Sequence, residues 1–286
     1  MSMNKSPDED KPPNEDKPPN EDKPPDEDKP PDEDKQGCLQ PAENILISPG
    51  FSSSCLIHGT FNRHGGVSPS PWDSNNVSFG LGDNAENVRA NREQIKKTLG
   101  FNHLVSAKQV HGSRVHTVDE SPVDDIEIDA FDALITNVPG IGLMIQQADC
   151  QAVFLFDPEK KAIGIAHVGW RGSVENIIAE TVFAMSRAFS TEPADVKAAI
   201  SPSLGPCCAE FVNFRSELPA ALHGYQVRPD YFDFWAISRD QLCAAGIRPG
   251  NIHITAICTR CDQNFFSYRR DKETGRFASV IGIREA

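Results

Sequence analysis

Apolar residues recur along this chain on two periods, and the period of two predominates. Alternating or continuous apolar runs predict strands at residues 114–118, 133–137, 142–147, 152–156, 162–166, 196–200, 252–257 and 277–283. Helical spacing is rarer. Residues 84–99 place Val88, Ile95 and Leu99 on one side and run into Gly100, a helix-stop residue. Residues 173–189 carry Val174, Ile177, Ile178, Thr181, Val182 and Met185 at i, i+3, i+4 spacing, which predicts one long amphipathic helix. A third helix is expected over 238–245, opened by a Ser238/Gln241 capping box and stopped at Gly246. Several strands follow one another with no helix between them. The expected class is therefore α+β or mixed α/β, not a repeating βαβ barrel.

The first 37 residues carry no such pattern. They hold 6 Lys, 13 Asp+Glu and 9 of the 22 Pro, and residues 8–36 repeat a six-residue acidic unit ending in Pro-Pro. A segment with a Pro pair in every unit and nothing to bury is expected to be extended and disordered, a solvated spacer. Residues 38–286 are then expected to form a single domain. Of the formal net charge of −13, about half belongs to the tail, and the remainder has no cationic excess. That balance argues against a nucleic-acid partner. No apolar run reaches the roughly 18–20 residues of a membrane-spanning helix. No apolar leader segment is present near the first residue, so eight Cys in 286 residues read as free thiols in a cytoplasmic protein, with metal binding or catalysis as the exception.

One segment concentrates the chemistry. Two apolar runs flank Asp157-Pro158-Glu159-Lys160, good turn chemistry for a hairpin. A turn centred between Pro158 and Glu159 pairs Asp157 with Lys160, Phe154 with Ile163, and Cys150 with His167. Opposed residues share a face with Cβ atoms about 4.5–5.5 Å apart, so the open end of the hairpin would join a thiol to an imidazole. A one-residue shift would part them. Such a pair is a nucleophile with its base, two metal ligands, or a buried Cys beside a core His. His111, in Lys108-Gln109-Val110-His111-Gly112 just before a strand, offers a third ligand. The remaining His lack a comparable setting. Trp170-Arg171-Gly172 opens the expected helix, where a cation beside free backbone N–H groups suits an anion, or simply makes a strand-to-helix turn. Cys207-Cys208 and Cys258-Thr259-Arg260-Cys261 have the residue types of a second, four-thiolate zinc site. The adjacent pair is awkward for tetrahedral ligation, however, which leaves four ordinary thiols as the alternative.

Six motifs in order, Asn62-Arg63-His64-Gly65-Gly66-Val67-Ser68, Gln109-Val110-His111-Gly112, Ala148-Asp149-Cys150, Ala166-His167-Val168-Gly169-Trp170-Arg171-Gly172, Gly205-Pro206 and Cys258-Thr259 with the closing Phe265-Phe266-Ser267-Tyr268-Arg269-Arg270 and Thr274-Gly275-Arg276, resemble the laccase-domain family. Its members are also called YfiH-type proteins, polyphenol oxidases or multi-specific purine nucleoside phosphorylases. The resemblance covers nearly all of the chain after the tail.

The resemblance implies an α+β fold, a mixed-sheet α/β/β/α sandwich, with one catalytic metal held by a His, a Cys and a second His, which match His111, Cys150 and His167. It implies phosphorolysis of adenosine, inosine, guanosine and methylthioadenosine to base and ribose 1-phosphate, with adenosine deamination. Purine nucleoside and phosphate are then the small-molecule partners; oligomeric state is not indicated. Zinc is the expected metal, and copper is possible with the same donors. Arg63 and Arg171 are the candidates for gripping phosphate bidentately. Gln109 and Asp149 neighbour the ligands and would orient them or the substrate. Ser267, Arg269 and Arg270 would reach the same pocket from the C-terminal segment. Deamination needs an activated water, which an open zinc position supplies. The alternatives are a copper-dependent phenol oxidase, for which only one His-containing cluster can be gathered, a hydrolase editing wall precursors, and a non-catalytic module whose metal serves the fold.

Overall fold

Strands that alternate apolar side chains to both faces need a covering layer on each side, and the chain provides it with two stacked sheets between helices. The structure is a computed structural model and describes residues 44–48 and 50–285. The acidic repeats and the first residues of the expected domain lie outside this range. In chain order the elements are β1 (Ile45–Leu46), β2 (Leu56–Phe61), α1 (Ala85–Leu99), β3 (His103–Lys108), β4 (Val115–Val118), β5 (Ile126–Asp129), β6 (Ala133–Thr136), β7 (Ile141–Gln147), β8 (Gln151–Asp157) and β9 (Ala162–Val168). They continue with α2 (Trp170–Glu175), α3 (Ile177–Phe189), β10 (Lys197–Ile200), α4 (Phe214–Glu217), β11 (Gln226–Arg228), β12 (Tyr231–Phe232), α5 (Phe234–Ala244), β13 (Ile252–Ile254), α6 (Tyr268–Asp271) and β14 (Phe277–Ile283).

One six-stranded sheet has the order β1-β2-β14-β7-β3-β5, the other β13-β10-β8-β9-β6-β4, and β11 and β12 form a small separate pair. Both large sheets are mixed: β3 lies parallel to β5 and β7, while β8 and β9 are antiparallel. Val105, Leu143, Ile145 and Ile281 of the first sheet meet Leu134, Phe154, Phe156 and Ile165 of the second in the central core. On β8 the intervening Val153 and Leu155 turn outward to meet Ile178, Val182 and Met185 of α3 and Leu242 of α5. Ile95 of α1 covers the outer face of the first sheet with Phe61, Leu104, Met144 and Val280. The result is the expected α/β/β/α sandwich in one domain.

The expected α1 forms, with Asn84 accepting from the Glu86 N–H at 2.9 Å and Gly100 at φ 74° closing it. The long helix over 173–189 is instead two. Asn176, at φ 57°, ends α2, and its side chain accepts from the Ala179 N–H to start α3. Asn tolerates the left-handed region and caps well, which the apolar spacing conceals. The capping box at Ser238 does not form. The side chain of Asp233 caps α5 earlier in the chain, while Ser238 donates to Gln151 Oε1 at 2.6 Å and Gln241 to the Ser173 carbonyl at 2.7 Å. β2, β3 and β5, which the pattern does not predict, mix His, Ser, Thr, Gly and Glu into runs of four to six residues.

Burial of His58 on β2 has a measurable consequence. Its ring lies 5.0 Å from that of Phe51 and 5.9 Å from that of Phe154, and Nε2 accepts from the Ser48 N–H at 3.1 Å. Burial, only partly opposed by that contact, lowers its pKa from 6.5 to about 4. The folded state therefore requires neutral imidazole. Its stabilising effect is complete above pH 6.5 and is lost as pH falls toward 4, because only the unfolded chain takes up the proton. Urea unfolding should show wild type losing about 3 kcal/mol more than His58→Gln between pH 7 and pH 4.

Candidate metal centre and cavity

The chain passes from the first sheet to the second three times in succession, through β3 to β4, β5 to β6 and β7 to β8. Since β5, β3 and β7 are parallel neighbours, the three crossings leave from the same end of the sheet. His111 lies on the first crossing, Asp132 on the second and Cys150 on the third, while His167 comes from β9 in the facing sheet. The ligand atoms of His111, Cys150 and His167 all lie within 4.8 Å of one another. The two imidazoles meet edge-on, with centroids 4.8 Å apart.

The hairpin brings Cys150 and His167 together in a register other than the expected one. Asp157 pairs with Ala162, Phe154 with Ile165 and Ala152 with His167. Asp157 Oδ1 accepts from the N–H groups of Glu159 and Lys160, and Lys161 adopts φ 49°, so the loop has four residues rather than two. The slip of two residues preserves the face. Cys150 sits diagonal to His167 instead of opposite it. Gly169 completes the approach: a Cβ there would lie 3.0 Å from His111 Cδ2 and 3.2 Å from Cys150 Sγ.

Asp132, which no spacing or motif marked, organises the centre. Its fully buried carboxylate accepts from the backbone N–H groups of Val110, His111 and Gly112 at 2.9–3.1 Å and from His167 Nδ1 at 2.9 Å. Burial alone would raise its pKa, but the His167 contact and these N–H groups hold it below the usual carboxylate range. With the Nδ1 proton directed at Asp132, Nε2 is the nitrogen left for a ligand, an arrangement that suits metal-binding histidines. His111, at φ 62°, is held in its left-handed conformation by the same anchor.

Charge accumulates at the thiol. Burial opposes ionisation of Cys150, but the charge on His167 and hydrogen bonds from both imidazoles outweigh it and bring its pKa to about 6. Burial likewise opposes protonation of His167, yet the Cys150 charge and the Asp132 hydrogen bond raise it to about 9. The two shifts reinforce each other, the thiolate favouring the imidazolium and the imidazolium the thiolate. One thiolate and two imidazole nitrogens, gathered at this range and oriented by a carboxylate, fit a zinc ion and leave a fourth position open.

The centre opens into a cavity of about 870 Å³. Its walls carry the cations Lys108, Arg171, Arg269, Lys272 and Arg276 and the aromatic rings of Phe79, Trp170, Phe211, Phe234 and Tyr268. Burial lowers the pKa of Arg276, against the opposing charges of Cys150 and Asp149. Arg276 stands in the Thr274-Gly275-Arg276 motif, where only an unassigned cation signalled it.

Of the residues expected at the site, Gln109, His111, Asp149, Cys150, His167, Arg171 and Arg269 line this cavity. Gln109 binds both the N–H and the carbonyl of Gln146, which pins the loop leading to His111. Asp149 accepts from Thr259 Oγ1 at 2.7 Å and the Arg269 N–H at 2.6 Å, fixing the backbone beside Cys150. Both side chains tie down the segments that carry His111 and Cys150. Arg63, Ser267 and Arg270 do not line the cavity. Arg63 is engaged by Asp73 and lies over the Phe266 ring. Ser267 is fully buried as the N-cap of α6, and the Arg270 guanidinium is taken up by the carbonyls of Thr259, Arg260 and Phe265 and by Asp271.

The chain has relatives in sequence and in fold. The chain belongs to the family described as multi-copper polyphenol oxidoreductase laccase, which matches residues 57–284. Within it, the chain is 32% identical over 248 residues to the purine nucleoside phosphorylase YlmD of Geobacillus stearothermophilus, covering 80% of this chain and 90% of that protein. It is 34% identical over 229 residues to the purine nucleoside phosphorylase ORF3 of Streptomyces griseus, covering 78% and 92%. The crystal structure of YlmD from Geobacillus stearothermophilus superposes with a TM-score of 0.77 at 30% identity, covering 86% of this chain and 98% of that one. That of a Bacillus licheniformis protein titled hypothetical protein YfiH gives 0.74 at 30% identity, covering 80% and 93%.

Proposed function

We propose that this chain cleaves purine nucleosides with phosphate, releasing free base and ribose 1-phosphate from adenosine, inosine, guanosine and methylthioadenosine, and that it also deaminates adenosine. The observation that carries the reading is the His111/Cys150/His167 group at the wall of a cavity furnished with both cations and aromatic rings. Phosphorolysis asks for these two features together. A phosphate oxygen attacks the anomeric carbon, the glycosidic bond breaks, and the base departs with the bonding electrons, so the anion must be held beside a sugar that gains positive charge. Relatives named purine nucleoside phosphorylases, with a fold likeness that covers 86% of this chain, support the substrate class.

Arg171 is the phosphate ligand in this reading. Its guanidinium lies 4.3 Å over the Trp170 ring and makes no protein hydrogen bond among the described residues, whereas Arg269 and Arg276 each bind backbone carbonyls. The aromatic walls suit a stacked purine. His111, Cys150 and His167 would hold zinc, which when bound supplies Lewis-acid polarisation and an acidic water. Asp132 keeps the His167 Nδ1 proton away from the cavity, and Gln109 and Asp149 hold the loops that present His111 and Cys150.

Purified protein incubated with each nucleoside and followed by chromatography tests this. Base release that requires phosphate, with ammonia appearing only from adenosine, is expected; the absence of any nucleoside turnover by folded, zinc-loaded protein would overturn it. Arg171→Ala should raise the phosphate KM about tenfold or more, the worth of one charge-assisted hydrogen bond. Arg63→Ala, outside the cavity, should leave that KM unchanged. Equal effects in the two variants would reject the assignment.

A further inference from the structure

We propose that Cys207, Cys208, Cys258 and Cys261 form a second, structural zinc site, separate from the His/Cys/His centre and independent of the nucleoside reading. The four sulfurs all lie within 4.8 Å of one another. Cys261 Sγ is 3.7 Å from Cys207 Sγ and 3.4 Å from Cys208 Sγ. Four sulfurs bonded to one zinc at about 2.3 Å would stand about 3.8 Å apart, the edge of a tetrahedron of that radius. All four are free thiols.

Backbone geometry overcomes the awkwardness of an adjacent pair. After Gly205-Pro206 the chain makes a helical turn, with the N–H groups of Cys208 and Ala209 both donating to the Gly205 carbonyl at 2.9 and 3.0 Å. A second tight turn closes Cys258 to Cys261, whose N–H donates to the Cys258 carbonyl at 3.1 Å, followed by that of Asp262 at 2.9 Å. Each turn thereby presents two sulfurs to the same point. Four thiolates around a divalent cation leave a net charge of −2, and three guanidinium groups surround the cluster to offset it. Arg260 Nη1 donates to Cys208 Sγ at 3.4 Å, Arg228 Nη2 to the Cys207 carbonyl at 2.8 Å and Arg269 Nη1 to the Cys208 carbonyl at 3.1 Å. Donors to the sulfur and to the ligand carbonyls are the outer shell such a site requires.

The position gives the site a purpose. It ties the 204–211 segment, which carries the cavity residues Leu204 and Phe211, to the segment that carries Thr259 and Arg269. Those two residues are the partners of Asp149, adjacent to Cys150. The second metal would fix the wall against which the first ligand set is built.

Cys150→Ala isolates the proposal, because it removes the only sulfur from the other centre. The full-length variant, purified under reducing conditions with zinc supplied, should retain one zinc per chain by plasma mass spectrometry. Its cobalt-substituted form should show the intense thiolate-to-cobalt charge transfer of a four-sulfur tetrahedral site. Adding Cys258→Ser and Cys261→Ser should abolish both the metal and the absorption. A Cys150→Ala protein without zinc, and without thiolate-to-cobalt absorption, would overturn the proposal even if the triple variant fails to fold.

Discussion

Cys150→Ala protein should remain folded and yet lose phosphorolysis of purine nucleosides by about a thousandfold or more. The substitution takes away a thiolate that only the site uses: Cys150 lies just before the first residue of β8, outside the hydrophobic cores, so its removal leaves both sheets intact. What disappears is one of three donors and the negative charge that raises the His167 pKa. A bound metal is worth several kcal/mol to a developing charge, and each 1.36 kcal/mol is a factor of ten in rate. His111→Ala should act in the same direction. Circular dichroism and thermal unfolding, run beside the chromatographic assay, separate loss of chemistry from loss of fold. Wild-type turnover by either variant would remove the cluster from the mechanism.

Asp132→Ala should be the most damaging single change to the fold of the site. Three backbone N–H groups and one imidazole N–H would lose their shared acceptor in a place water does not reach. Breaking a buried charged network of this kind costs about 3–5 kcal/mol, a large part of the total stability of an ordinary domain. Asp132→Asn distinguishes the two functions of the carboxylate. Its amide oxygen still accepts from the Val110 and Gly112 N–H groups, but its NH2 group, in the place of Oδ1, accepts neither from the His111 N–H nor from His167 Nδ1. Stability should fall less than in the alanine variant, while affinity for the metal at the His/Cys/His centre drops about 10- to 100-fold. Denaturant unfolding and a competitive chelator titration read the two effects; equal metal affinity in wild type and Asp132→Asn would show that the carboxylate does not orient the ligand.

Period and turn chemistry made most of the sandwich legible. β14 coincides with the apolar run at 277–283, and α1 begins and ends at its Asn and Gly signals. Among the strands left unseen, β2 and β3 hold His58, Thr60 and Ser106 at buried positions, polar groups satisfied by partners from other segments, while β5 has no buried position at all and β1, β11 and β12 are only two or three residues long. At the site, an error of two residues in the hairpin register left Cys150 and His167 on one face, since side-chain direction alternates with period two. Asp132 was hidden for a different reason. It acts by receiving backbone donors from another crossing, and neither hydrophobic pattern nor local spacing encodes that. Arg63 and Arg270 stand in recognisable motifs, but nearby carbonyls and carboxylates capture their guanidinium groups, a competition visible only once the loops are folded.

The three successive crossings between the sheets also bear on how the molecule comes apart. His111 and Cys150 leave the first sheet and His167 belongs to the second, so an ion held by all three is a rivet through both layers. Unfolding must then release the ion, and its free concentration enters the equilibrium as RT ln(1 + [M]/Kd), about 4 kcal/mol at a thousandfold excess over Kd. Metal supply would thus enter the folding equilibrium of the chain as well as its chemistry.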